Sequence, residues 1–263
     1  MELRGRRVLV TGASRGIGNA LARRFAGAGA VVALVARSRP QLEELAGELG
    51  GTAHAADLTD REQLETLIER VEDEAGPVDV LVNNAGLETT KSILDHTAED
   101  VELIYRLNIV APVELCRQVL PRMLGRGGGH VVNVSSLAGV AVFPGFATYA
   151  STKAALTHFT AGLRADLRGK PVGTTVVELG PIVTEMLAGA KDYGPTRDSF
   201  ERAYRLGMLV DITPEQVAEA AVAAVEAGRR HVRLPRRAGV YSLLAEAPRR
   251  LTELFLTGVR HQE

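Results

Sequence analysis

The chain has 263 residues, 46% of them hydrophobic and 24% charged, with a formal net charge of -1. That size and apolar content suit one α/β domain over 1–263 with a large core, and the balanced charge excludes the basic footprint of a nucleic-acid or anionic-membrane binder. Cys116 is alone, which excludes an intrachain disulfide and a cysteine-based metal site, and no apolar run approaches the roughly 20 residues of a membrane span. A soluble, cytoplasmic protein with no metal and no integral membrane segment is the expectation.

Arg7–Thr11 is a valine-rich run that breaks into Gly12–Gly18 and then a helical pattern to about Ala28. Val31–Ala36 repeats the strand signature and precedes a polar helix, Pro40–Leu49. Thr52–Ala56 reads as a third strand, and Asp60–Glu74 as an amphipathic helix carrying Leu64, Leu67, Ile68 and Val71 on one face. Val78–Val82 is a fourth strand, followed by a long helical pattern over Ala98–Leu124 and a fifth strand, Gly129–Val134. A helix over Thr148–Arg168, a strand at Thr174–Leu179, a helix at Pro214–Ala227 and a short strand at His231–Leu234 complete the order. Strands that are continuous apolar runs and alternate with helices predict a parallel sheet of about seven strands, covered on both faces. This is a Rossmann-type, doubly wound α/β fold, and its ligands are expected beyond the carboxyl ends of the strands.

The first such loop, Thr11-Gly12-Ala13-Ser14-Arg15-Gly16-Ile17-Gly18, has the glycine spacing that lets a backbone turn tightly and approach a pyrophosphate at a helix N-terminus. Where an acid after the second strand would bind a ribose 2′-hydroxyl, the chain has Val35-Ala36-Arg37-Ser38-Arg39. Arg37, with Arg15 in the loop, offers guanidinium groups suited to a 2′-phosphate, so NADP(H) is favoured over NAD(H).

Tyr149 and Lys153 stand four residues apart on one helix face. A phenol with a pKa near ~10 is a poor base at neutral pH, and a neighbouring ammonium is expected to lower it. Ser136, at the end of Asn133-Val134-Ser135-Ser136, can hydrogen-bond an oxygen whose charge changes during reaction. Either signal is weak alone.

Together these motifs resemble the short-chain dehydrogenases/reductases, and the resemblance spans nearly the whole chain. It rests on Thr11–Gly18, Asp57, Asn83-Asn84-Ala85-Gly86, Asn108, Ser136 and Tyr149-Ala150-Ser151-Thr152-Lys153. The resemblance implies an oxidoreductase that moves a hydride between nicotinamide and a carbonyl or alcohol. In it Tyr149 would exchange the proton, Lys153 would lower its pKa and hold the nicotinamide ribose, and Ser136 rather than Ser135 would orient the carbonyl. Asn108 would hold a relay water. Gly12, Ser14, Arg15, Gly16, Ile17, Gly18, Arg37, Ser38, Asp57, Leu58, Asn84, Ala85, Gly86, Pro181, Ile182 and Thr184 would join Tyr149 and Lys153 in holding the coenzyme. Asp57 also reads as a helix cap. One departure is Leu179 before Gly180, where the family has proline.

The family places a substrate lid at about 185–211. There Met186, Leu187, Tyr193, Phe200, Tyr204, Leu206, Met208 and Leu209, with Phe143 and Phe146, either line an apolar pocket or pack the lid onto the body. The substrate expectation is a lipophilic ketone or aldehyde. A leucine-rich helical stretch at about 238–259 would pack, cover the site, join an interface or meet a membrane surface. A homodimer or homotetramer is implied. The alternatives are a β-ketoacyl-carrier-protein reductase, with Arg126, Arg197 and Arg202 as docking candidates, and a non-catalytic NADP(H)-binding sensor. The retained Tyr149, Lys153, Ser136 and Asn108 argue against the sensor.

Overall fold

The computed structural model describes residues 1–183, 188–189, 192–207 and 209–235. Among the described residues seven parallel strands form one sheet: β1 Arg7–Thr11, β2 Val31–Ala36, β3 Thr52–Ala55, β4 Val80–Asn83, β5 Gly129–Ser136, β6 Val172–Leu179 and β7 His231–Leu234. Their order is β3-β2-β1-β4-β5-β6-β7, so the chain winds outward in both directions from the β1–β4 boundary. This is a doubly wound, Rossmann-type α/β fold. At that boundary the loops leaving β1 and β4 diverge, and a crevice opens between them.

Alternation along the strands divides the core into two layers. Val8 and Val10 face a layer shared with α1 (Gly16–Gly27), α2 (Arg39–Leu49) and the last described helix, Pro214–Glu226. Leu9 faces the opposite layer, with α3 (Arg61–Glu65), α4 (Leu67–Ala75) and the helices that follow β4 and β5. Cys116 lies in this second layer, where burial pushes its thiol up to about 12, so it serves as a small apolar side chain. Among the described residues no helix is long and apolar enough to cross a membrane.

Two helical patterns are interrupted in ways the periodicity did not show. The pattern over 60–74 breaks at Thr66, whose hydroxyl donates to the Glu62 carbonyl and separates α3 from α4. The long pattern over 98–124 is α5 (Ala98–Tyr105) and α6 (Ala111–Gly125) joined by one wide turn, Arg106–Val110. There the Ala111 N–H donates to the Arg106 carbonyl, five residues back. Pro112 brings no N–H for the carbonyl of Asn108, so the ladder has reason to widen at this point. After β5, α7 runs from Ala147 to Asp166. Within the lid segment, Gly194–Arg205 forms a helix, α8, with proline in its first turn, and Pro214–Glu226 is α9.

Candidate active site

The carboxyl ends of β1, β2, β4, β5 and β6 open into one cavity of about 1450 Å³. On the β1 side the wall is backbone. Gly12 has φ 67°, and a Cβ on Gly18 would lie 2.1 Å from the Gly12 carbonyl oxygen. Only a hydrogen fits there, so the α1 N-terminus can pack against the end of β1. Thr11 locks this turn to β4: its hydroxyl donates to the Val82 carbonyl at 3.2 Å and accepts from the N–H groups of Asn84 and Ala85 at 3.0 and 3.1 Å. The Asn84 amide donates back to the Thr11 carbonyl at 2.9 Å. Arg15 precedes α1 without a side-chain cap, which leaves first-turn N–H groups for an anion.

Gly12, Ser14, Arg15, Gly16, Ile17, Gly18, Arg37, Ser38, Asp57, Leu58, Asn84, Ala85, Gly86, Pro181 and Ile182 all line the cavity, as do Gln41 and Thr59. Thr184 lies outside the described residues. Among the described residues Arg37 makes no ion pair, and its side chain is exposed at the cavity edge. The helix cap that Asp57 might have been is Asp60, whose carboxylate accepts from the N–H groups of Glu62 and Gln63. Asp57 instead uses one oxygen to hold the Thr59 N–H and hydroxyl, at 2.9 and 2.7 Å. A phosphate-accepting helix end, a backbone with no side chains in the way, and two arginines suit a dinucleotide.

Ser136, Tyr149 and Lys153 meet across the cavity. Ser136 closes β5; its hydroxyl donates to the Leu179 carbonyl at 3.1 Å and accepts from the Ala138 N–H. That bond ties down the position where leucine replaces proline, and the Gly180 N–H donates to the Leu234 carbonyl at 2.7 Å. Ser135 points into the protein, where its hydroxyl donates to the Lys153 carbonyl and pairs with Thr157. Asn108 is buried behind the cavity wall. Its amide donates to the Leu87 carbonyl and the Thr152 hydroxyl, and its oxygen accepts the Leu87 N–H at 2.8 Å.

The Lys153 ammonium donates to the Val134 carbonyl at 3.0 Å and lies over the Tyr149 ring, 5.7 Å from its centroid. Burial lowers the lysine to about 8, although Glu88 pulls the other way. The expected lowering of Tyr149 does not appear. Burial pushes the phenol up, Glu88 adds to that, and the Ser136 hydroxyl opposes both. Desolvation of the phenolate outweighs a lysine whose charge sits above the ring.

Glu88, two residues beyond Gly86, also lines this cavity. A glutamate after the Asn-Ala-Gly turn has no spacing signal of its own, so Glu88 is not visible in the sequence. The lid falls between its two alternatives. Phe200 of α8 is buried against Phe143 and Phe146, with ring centroids 5.0 and 5.7 Å away, so it fastens the lid. Phe143, Phe146, Leu206 and Leu209 line the cavity, whereas Tyr193 and Tyr204 do not. Met186, Leu187, Met208 and the stretch 238–259 lie outside the described residues.

A family model for short chain dehydrogenase matches residues 6–193. The chain is 35% identical over 229 residues to ketoacyl reductase HetN of Nostoc sp., a match covering 85% of this chain and 76% of that protein. It is 34% identical over 237 residues to a fatty acyl-CoA reductase of Mycobacterium tuberculosis, covering 86% and 81%. Its fold superposes, with a TM-score of 0.79 at 27% identity and 98% coverage of both chains, on a short-chain dehydrogenase from Sphingobium yanoikuyae solved with NADPH. Other neighbours were solved with NADP and with NAD.

Proposed function

This chain belongs to the short-chain dehydrogenase/reductase family of oxidoreductases, and from that premise we propose that it reduces a lipophilic ketone or aldehyde with NADPH. The observation that carries the reading is the meeting of Ser136, Tyr149 and Lys153 on one wall of a cavity whose other wall is the glycine turn. In this reading Arg15 and Arg37 bind the 2′-phosphate, and no acid follows β2 to favour the bare hydroxyl. Ser14 and the first-turn N–H groups of α1 hold the pyrophosphate, and Asp57 with Leu58 flanks the adenine. Asn84, Ala85 and Gly86 line the adenosine side, and Pro181, Ile182 and Thr184 serve the nicotinamide end.

When bound, the nicotinamide supplies the hydride. Ser136 orients the carbonyl and, turning its hydroxyl from the Leu179 carbonyl, donates to the substrate oxygen as negative charge develops there. The Tyr149 phenol delivers the proton. Burial and Glu88 both keep that phenol protonated, which suits an acid in reduction better than a base in oxidation. Lys153 holds the ribose hydroxyls and places positive charge beside the ring. Asn108, whose side chain is committed to Leu87 and Thr152, serves a proton relay through its main-chain carbonyl, which Pro112 leaves without the usual α-helical donor.

A second reading, reduction of a β-ketoacyl group carried as a thioester on a carrier protein, is favoured by the similarity to HetN and by Arg202 at the cavity edge. We also place the chain in a homodimer or homotetramer built by pairing the helical stretch 98–124 with α7. Leu103, Tyr105 and Val110 are exposed there, and Tyr105 bonds Ser151.

The test is oxidation of NADPH and NADH, followed at 340 nm, with long-chain ketones, aldehydes and an acetoacetyl thioester. Faster turnover with NADPH on the ketones and aldehydes supports the main reading. Exclusive use of the thioester supports the second. Coenzyme binding without turnover of any compound points to a sensor.

A further inference from the structure

Around the reacting groups the cavity is mostly apolar, with Val140, Phe143, Phe146, Leu206 and Leu209 on its walls. Glu88 places a carboxyl on the same surface. Its position is determined from both sides. The residue before it, Leu87, has both backbone groups clamped by Asn108 at 2.8 Å, and the Lys91 N–H donates to the Gly145 carbonyl in the loop before α7. The Thr90 hydroxyl donates to Oε1 of Glu88. Among the described residues no other hydrogen bond reaches this carboxyl, and Oε2 is accessible to solvent. Neither nearby cation bonds it: Lys91 pairs with Asp100 at 2.6 Å, and the Lys153 ammonium donates to Val134 and reaches Glu88 only through its charge.

A half-buried carboxyl with a single protein hydrogen bond is poorly solvated, and this partial burial pushes it up to about 7. The cost is recovered when a ligand brings a donor to the free oxygen. Above pH 7, where this carboxyl is ionised, a ligand carboxylate in the same place would meet like charge instead.

Taking the reductase reading as given, we propose that Glu88 is a specificity-determining residue. Its carboxyl selects substrates that carry a hydrogen-bond donor, such as a hydroxyl, close to the reacting carbonyl, and rejects those with a carboxylate there. The substrate class thereby narrows to a lipophilic chain whose reacting end bears a second, donating polar group.

Three ketones of matched chain length test this: the plain ketone, the ketone with a hydroxyl on the adjacent carbon, and the keto acid. The wild type is expected to reduce the hydroxyketone about tenfold or more faster in kcat/KM than the plain ketone, with the keto acid slowest. Glu88→Ala brings the first two together and improves the keto acid. Glu88→Gln, which keeps an accepting oxygen without the charge, retains part of the hydroxyl preference and relieves the keto acid, and it carries the test should the alanine variant not fold. Calorimetric titration of the product diol should show the same loss of affinity in Glu88→Ala. Equal ratios in wild type and variant overturn the role of Glu88 and leave the reductase reading standing. A wild type that oxidises neither coenzyme with any of the three overturns both.

Discussion

At the ends of β1 and β4 the cavity wall is made of backbone: Gly12 and Gly18 in near contact, with the Thr11 hydroxyl holding the two loops together. Across the cavity, at the end of β5 and along α7, the wall is made of side chains, with Ser136, Tyr149 and Lys153 facing inward beside Glu88. The first wall depends on what is missing, because any side chain at Gly18 would fill the space the turn needs. The second depends on ionisable groups whose protonation is set by burial and by one another. Changes to the first should act on binding, and changes to the second on chemistry and its pH dependence.

The largest break is expected at the backbone wall. Gly18→Ala puts a methyl 2.1 Å from a backbone oxygen. It should abolish measurable NADPH binding in a calorimetric titration and lower the Tm. A smaller change on the same side is Arg37→Ala. Removing one charged partner of a phosphate should raise the KM for NADPH roughly ten- to hundredfold and leave the KM for NADH where it was. An equal rise for both coenzymes would contradict the 2′-phosphate role.

On the side-chain wall, Lys153 is lowered to about 8. Its ammonium is present below that pH and lost above it. Reductive kcat/KM should therefore fall by about tenfold per pH unit on the alkaline side of pH 8, in a profile taken from pH 6 to 10. A flat profile would separate Lys153 from the reaction. The smallest effect is on stability. Glu88 is raised from 4.5 to about 7, so the folded protein binds this proton more tightly than the unfolded chain. The stabilisation is complete below 4.5 and is lost as pH rises through 7. Glu88→Gln should melt about 2–4 °C above the wild type at pH 8, and the gap should close by pH 5.

The same contrast explains what the sequence made legible. The glycine turn and the valine-rich strands could be read because close backbone approach and two-sided burial each demand particular residue types in order. Tyr149, Lys153 and Ser136 could be placed together because strand ends and a helical spacing of four fix where they point. The wide turn at Arg106–Val110 was hidden inside an unbroken apolar pattern; Pro112 was its one signal. Glu88 and the lid contacts of Phe200 were not legible, since they depend on which distant side chains the loops bring near. The tyrosine–lysine spacing showed proximity but not protonation. The shift on Tyr149 depends on how dry the cavity wall is and on a carboxyl sixty-one residues away in sequence.

Tyr149 is the proposed proton donor of an NADPH-dependent reduction. Tyr149→Phe keeps the ring and its packing and removes only the hydroxyl. NADPH affinity and turnover of the best ketone should be measured on this variant side by side. An affinity close to that of the wild type is expected, with kcat reduced by about 10²–10⁴-fold. Turnover that survives the substitution, with the coenzyme still bound, would contradict that role.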